Sequence, residues 1–147
     1  MAQFARPDTD TTVGSYTDQG GGATTIYASI DESVVSDADY IRSVTSPSSS
    51  VYVCRLSDIT DPALSTGHVM RMRTACDQDS QETLTFTQEL RQGYVNEGAQ
   101  GTLIATQSRS SISSSVLTTS SYTLSAAEAD AITNYADLFF RFSISVV

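Results

Sequence analysis

His68 is the only histidine in the chain, so any serine–histidine–acid relay or imidazole base has to run through it. Its surroundings, STGHVMRMR, read as the start of a strand and lack the tight strand-to-helix turn that presents a nucleophilic serine. The 23 serines are spread through turn-like stretches, and none is set apart as a nucleophile. Lysine is absent, which removes the usual Schiff-base amine and the phosphate-loop cation. The triple glycine Gly20 to Gly22 has no strand and helix around it and reads as a hinge rather than a phosphate cradle. With no tryptophan and few aromatics to wall a cleft, paired carboxylates for glycoside hydrolysis have little support. These observations assign no catalytic and no cofactor-binding residue, and the chain reads as non-enzymatic.

Two other residue types could do chemistry. The acid pairs Asp8/Asp10, Asp37/Asp39 and Asp77/Asp79 offer hard oxygen ligands of the kind calcium takes. Asp77, Asp79 and Glu82, close together in one loop, make the best set. None has the glycine and closing glutamate of an EF-hand loop, and the plainer reading is solvated turn residues. Cys54 and Cys76 are too few for a disulfide scaffold or a four-ligand zinc site. They share the side-chain parity of Leu56 and Met72, so both point inward. A cross-strand disulfide is one outcome; two buried free thiols, as a reducing cytosol would leave them, are the other.

The elements that must position such residues read as short strands. The chain carries 23 Ser and 19 Thr; threonine suits a pleated surface and serine suits turns and strand ends. Residues 1–22 hold Pro7, alternating Asp and Thr, and the glycine run, and read as an extended arm with Phe4, Val13 and Tyr16 as anchors. The body, 23–147, alternates apolar and polar residues at 24–30, 51–56, 68–76, 83–91, 102–107 and 116–124. Residues 31–43 read as a polar connection with one helical turn near Asp37 to Ile41, and SRSSISSS reads as a turn. Ser125 and Glu128 form a capping box that opens a short helix reaching about Asn134. Leu138, Phe140, Phe142, Ile144 and Val146 then alternate with polar residues as a central core strand. Phe139 breaks that alternation: either the strand begins irregularly, or another subunit covers this face. About seven such strands predict an all-β, antiparallel sandwich or jelly roll.

Charge narrows the partners. Seventeen acids against eight arginines give a net charge of −9, which repels a phosphate backbone and argues against nucleic acid. No apolar run approaches the roughly 20 residues of a membrane span, and MAQFARPDTD lacks the features of a signal peptide.

Several stretches resemble small structural proteins of tailed bacteriophages: RPDTD, YASIDESVVSDADYIRS, GHVMRMRTACD, TFTQELRQG, and above all YTLSAAEADAITNYADLFFRF. The resemblance covers most of the chain. It implies a β-sandwich of the virion made in the host cytoplasm; with the small all-β core, the acidic lysine-free surface and the arm, the expected role is a decoration (cement) protein on the capsid surface. The implied partner is the major capsid protein, and the implied assembly a homo-oligomer, with a trimer favoured. The alternative within the resemblance is a tail or head-fibre module that binds a host glycan or receptor. The expected contact residues are Phe4, Arg6, Val13 and Tyr16 of the arm, with Phe139.

Overall fold

The computed structural model describes residues 3–34, 36–43, 50–76, 84–112 and 115–146. In chain order the elements are β1 (Pro7–Thr12), β2 (Thr17–Asp18), a 3-10 turn (Ile26–Ser29), β3 (Ile41–Arg42), β4 (Val51–Leu56) and β5 (Val69–Thr74). There follow β6 (Leu84–Gln92), β7 (Thr102–Ile112), β8 (Thr118–Thr123), α1 (Ala126–Asp130) and β9 (Leu138–Val146). The alternating residues of the last segment do form a central strand. β9 lies in the middle of a five-stranded antiparallel sheet of order β1-β4-β9-β6-β7. Phe140 and Phe142 pair across strands with Cys54 and Tyr52 of β4, so aromatic side chains run down the centre of the inner face. Tyr52 and Phe142 stack at 5.9 Å.

The second layer of this sandwich-like all-β fold is divided. Over one half of the inner face lie the two-stranded β5–β8 sheet and α1, which bury Met70, Leu124 and Ile132 against Leu56, Leu90 and Leu138. Over the other half lie the 3-10 turn and the β2–β3 ribbon, which bury Tyr16 and Ile26 against Tyr52, Cys54 and Phe142. The capping box is present: the Ser125 hydroxyl accepts from the Glu128 amide and the Glu128 carboxylate accepts from the Ser125 amide. The helix stops at Asp130, well short of Asn134.

Several expectations need correcting. Residues 7–12 are not part of a loose arm; they are the edge strand β1, hydrogen-bonded to β4. The tie is Asp10, whose carboxylate accepts from the amides of Ile26 at 2.8 Å and Tyr27 at 2.9 Å and from the Tyr52 hydroxyl at 2.7 Å. The boundary at residue 22 therefore does not separate arm from body. Those same bonds explain why 24–30 is a 3-10 turn and not a strand: a carboxylate on two successive amides suits the first turn of a helix, not a ladder. Residues 37–41 hold no helical turn and lead into the short β3. SRSSI, read as a turn, is the second half of an eleven-residue β7.

The outer face of the sheet is partly covered by the chain itself. The connection from β6 to β7 folds back so that Tyr94 lies on Phe139 at 5.8 Å, with Val53 beneath. Gly101 allows the return: its φ is 64°, and a Cβ there would collide with the Gln92 carbonyl and the Gly93 backbone. Glu97 holds the loop down by accepting from Arg141 Nε at 3.0 Å and Nη2 at 2.8 Å, and from the Tyr94 hydroxyl at 2.8 Å. Arg141 also reaches Glu89 at 3.3 Å, which in turn meets Arg91 at 2.8 Å.

Candidate functional site

His68 does sit in a hollow. A cavity of about 320 Å³ opens where the N-terminal segment, the 57–68 loop and the residues after α1 meet the inner face of the sheet. Its floor is Leu56, Met70, Leu90, Leu138 and Phe140. Its rim carries Phe4, Ile59, Pro62, Val69 and the two polar rings His68 and Tyr135.

Each wall has a local cause. His68 is fixed by its backbone, since its carbonyl accepts from the Leu124 amide and prolongs the β5–β8 pairing. Tyr135 is fixed by the turn that follows α1. Gln92 accepts from the amides of Thr133 and Asn134, both at 2.9 Å, and Arg55 donates to the Ala136 carbonyl at 2.8 Å. These bonds present the Tyr135 hydroxyl 2.8 Å from His68 Nε2. The N-terminal wall is a side-chain clasp. Gln3 donates to the Thr60 carbonyl at 2.9 Å and accepts from the Thr60 amide at 2.8 Å. Arg6 and Ser57 add two more bonds, and Ala5 packs on the core below.

The cavity offers apolar walls and two hydrogen-bonding rings. The phenol of Tyr135 is pushed up, first by burial and then by the negative charges of Asp61 and Asp130, so it stays protonated and serves as a hydrogen-bonding group. His68 has that hydroxyl as its hydrogen-bond partner, not a serine or carboxylate, and its Nδ1 finds no partner among the described residues. The thiol of Cys54 lies fully buried away from the cavity lining and is pushed up to about 12 by desolvation, so it is not a nucleophile at neutral pH. An apolar hollow with two polar groups at its mouth suits an apolar side chain or ligand that carries one polar end.

The residues expected at a contact surface separate. Phe4 is 62% exposed at the cavity rim, with the Arg6 guanidinium 5.8 Å from its ring centre. Val13 and Tyr16 belong to the interior: Tyr16 is 2% exposed and packs on Tyr52 at 5.7 Å. Phe139 is 6% exposed on the opposite face of the sheet, covered by Tyr94 of its own chain. Cys54 and Cys76 are both buried and free, so the disulfide is not formed.

Three of the paired acids are otherwise engaged. Asp10 is spent on the bonds above, Asp8 meets Arg55 at 3.5 Å, and Asp37 takes both Nε and Nη2 of Arg73 at 2.6 Å. No group of three potential ligands occurs among the described residues, and Asp77, Asp79 and Glu82 lie outside them. No described helix is long and apolar enough to cross a membrane.

Residues 58–67, with Asp58, Asp61, Pro62 and Gly67, do read as a loop, while Gln3 and Tyr135 escape a sequence reading as site residues. Their partners are 57 and 67 residues away, and only the polar NYAD stretch after the helix hinted at a fixed turn. No protein-family model, curated protein or solved structure matches this chain.

Proposed function

We propose that this chain is a virion structural protein of a tailed bacteriophage, a decoration protein that binds the major capsid protein on the outer face of the head. The single observation that carries the docking is Phe4, 62% exposed, held at the mouth of an open apolar cavity by the Gln3–Thr60 clasp. Leu64 at 64% and Val69 at 45% exposure extend apolar surface around the same end. Large apolar groups exposed around one cavity in this way mark a contact surface more often than scattered ones do. Its partner would place an apolar side chain into the hollow, with His68 and Tyr135 meeting a polar group beside it. The acidic remainder of the surface keeps the protein soluble and away from nucleic acid.

The test is co-sedimentation with capsids lacking this protein, read alongside a low-resolution map that counts copies. Wild type should bind in hundreds of copies per particle. Phe4→Asp should weaken binding by at least about 30-fold, the effect of losing a central aromatic anchor, while leaving the unfolding midpoint unchanged. Normal binding by Phe4→Asp would remove this surface from the interaction. A count of a few dozen copies at the tail or at fibres would replace decoration by a fibre or tail role.

A further inference from the structure

The two edges of the five-stranded sheet are built differently. A sheet edge carries a row of unpaired backbone donors and acceptors, and proteins usually guard it with proline, charge or bulges. β1 is guarded in all three ways: it begins with Pro7, carries Asp8 and Asp10, and shifts register twice against β4. β7 also shifts register twice against β6, near its two ends, but is otherwise unguarded. It holds no proline and no acid, and its register with β6 runs unbroken from Arg109 to Ala105. Thr106, Ser108 and Ser110 are exposed along it. Its one charge, Arg109, is turned back into its own chain, donating to the Thr74 carbonyl at 2.7 Å and to the Thr74 hydroxyl at 2.8 Å. α1 packs against β7, and Thr106, Ser108 and Ser110 on its outward side remain exposed.

Charge points to the occupant. Residues 98–127 contain no acid and one arginine, so the rest of the chain carries −10 of a total of −9. Two copies that approach through most other surfaces bring like charges together. Along β7 they meet as neutral hydroxyl-bearing strands, so self-association there avoids the protein's own repulsion.

We infer that β7 is a homotypic docking edge, at which two copies pair antiparallel about a two-fold axis near Ser108. The pairing gives β7, which has β6 as its one strand partner among the described residues, a second partner in each copy, and joins two five-stranded sheets into one continuous sheet. With the axis at Ser108, Ser108 faces Ser108 of the other copy and Thr106 faces Ser110, a set of cross-strand hydroxyl pairs. The interface is isologous and closes at two, so it gives a dimer and not the trimer implied by the phage resemblance. It does not depend on the proposed function and holds wherever the protein acts.

The experiment measures mass in solution by light scattering and native mass spectrometry across a concentration series, with hydrogen exchange on the same samples. Wild type should be a dimer, with concentration-dependent protection confined to amides of β7. Thr106→Glu with Ser108→Glu places like charges opposite one another and should weaken dimerisation by about tenfold or more. Thr9→Glu with Thr11→Glu adds the same charge at exposed positions of β1 and should leave the dimer intact. A wild-type monomer at all concentrations, or a trimer, overturns the inference. So does a dimer that survives the β7 pair, is lost equally in the β1 control, or shows protection elsewhere. The exchange pattern is read on wild type, so the inference stays open to refutation even where the β7 variant fails to fold.

Discussion

Replacing Asp10 by alanine tests whether the first dozen residues belong to the folded body. Its carboxylate serves three donors: the amides of Ile26 and Tyr27 and the hydroxyl of Tyr52. Ile26 and Tyr52 are both 0% exposed, so two of these donors have no route to solvent once the acceptor is gone. Tyr27 is half-exposed and recovers its bond to water. An orphaned buried neutral donor costs about 1–3 kcal/mol. Two such donors predict a loss of about 3 kcal/mol, which in a chain of this length is a fall of roughly 10 °C in Tm. Asp10→Asn keeps one acceptor oxygen and should lose about half as much. Tyr52→Phe removes one donor, so Asp10→Ala should cost clearly less in that background. Urea unfolding followed by far-ultraviolet circular dichroism measures all five proteins, wild type included, the chain having no tryptophan. A loss within about 0.5 kcal/mol for Asp10→Ala, the range of an ordinary surface change, would refute the reasoning and return residues 7–12 to a loose arm.

Three further outcomes follow from the same contacts. Deleting residues 1–5 should leave a folded protein, whereas deleting 1–22 removes β1 and the buried Tyr16 and should leave none; equal circular dichroism spectra for the two would contradict this. A double-mutant cycle on Glu97→Gln and Arg141→Met should give a coupling of about 1 kcal/mol, kept low because Glu97 is 40% exposed and Arg141 keeps Glu89; a coupling near zero would mean the loop over Phe139 is held by packing alone. Stability should fall on acidification. Glu97 is held below its ordinary 4.5 by Arg141, Glu128 below the same value by the Ser125 amide, and Asp37 below 3.8 by Arg73. Between those folded values and the ordinary ones the unfolded chain binds more protons, so stability is full above the ordinary range and is lost as pH drops through it. Glu32, raised chiefly by its own desolvation, offsets part of this. A urea midpoint that is flat or rising from about pH 5 to pH 3 would show the sign to be wrong.

What the sequence made legible was local. The alternation of β4 and β9 needs only each segment's own residues, and the capping box spans Ser125 to Glu128; the structure has all three. What it hid depends on distant partners. Ile26, Ala28 and Ile30 alternate like a strand, yet the 3-10 turn wins because Asp10, 16 residues away, binds its first amides and Ile26 fills the core beside Tyr52. SRSSI looks like a turn because serine is common in turns, yet β6 supplies a partner for the strand. Phe139 looked like a contact for another subunit because Tyr94, which covers it, lies 45 positions earlier in a stretch that reads only as a loop. The candidate site was half legible for the same reason: His68 stands out as the single histidine, while Tyr135 and Gln3 become site residues only through contacts across the chain.

The placement of β1 also changes how attachment would work. A loose arm of 22 residues pays roughly 1 kcal/mol of backbone entropy per residue when it docks, and ordering it adds about 0.3 kcal/mol/K to the magnitude of the heat-capacity change, at 12–15 cal/mol/K per residue. Here that ordering is already done within the monomer by the β4 pairing, the Asp10 bonds and the Gln3–Thr60 clasp. Phe4 is presented by a fixed backbone, so docking costs little beyond the side chain itself. Calorimetry of binding to capsids should therefore show the small negative heat-capacity change of an apolar patch, and the hydrogen exchange of β1 amides should be equally slow before and after. A change as large as the arm's ordering, or β1 amides that gain protection only on the capsid, would mean that the strand forms on the partner and not in the free protein.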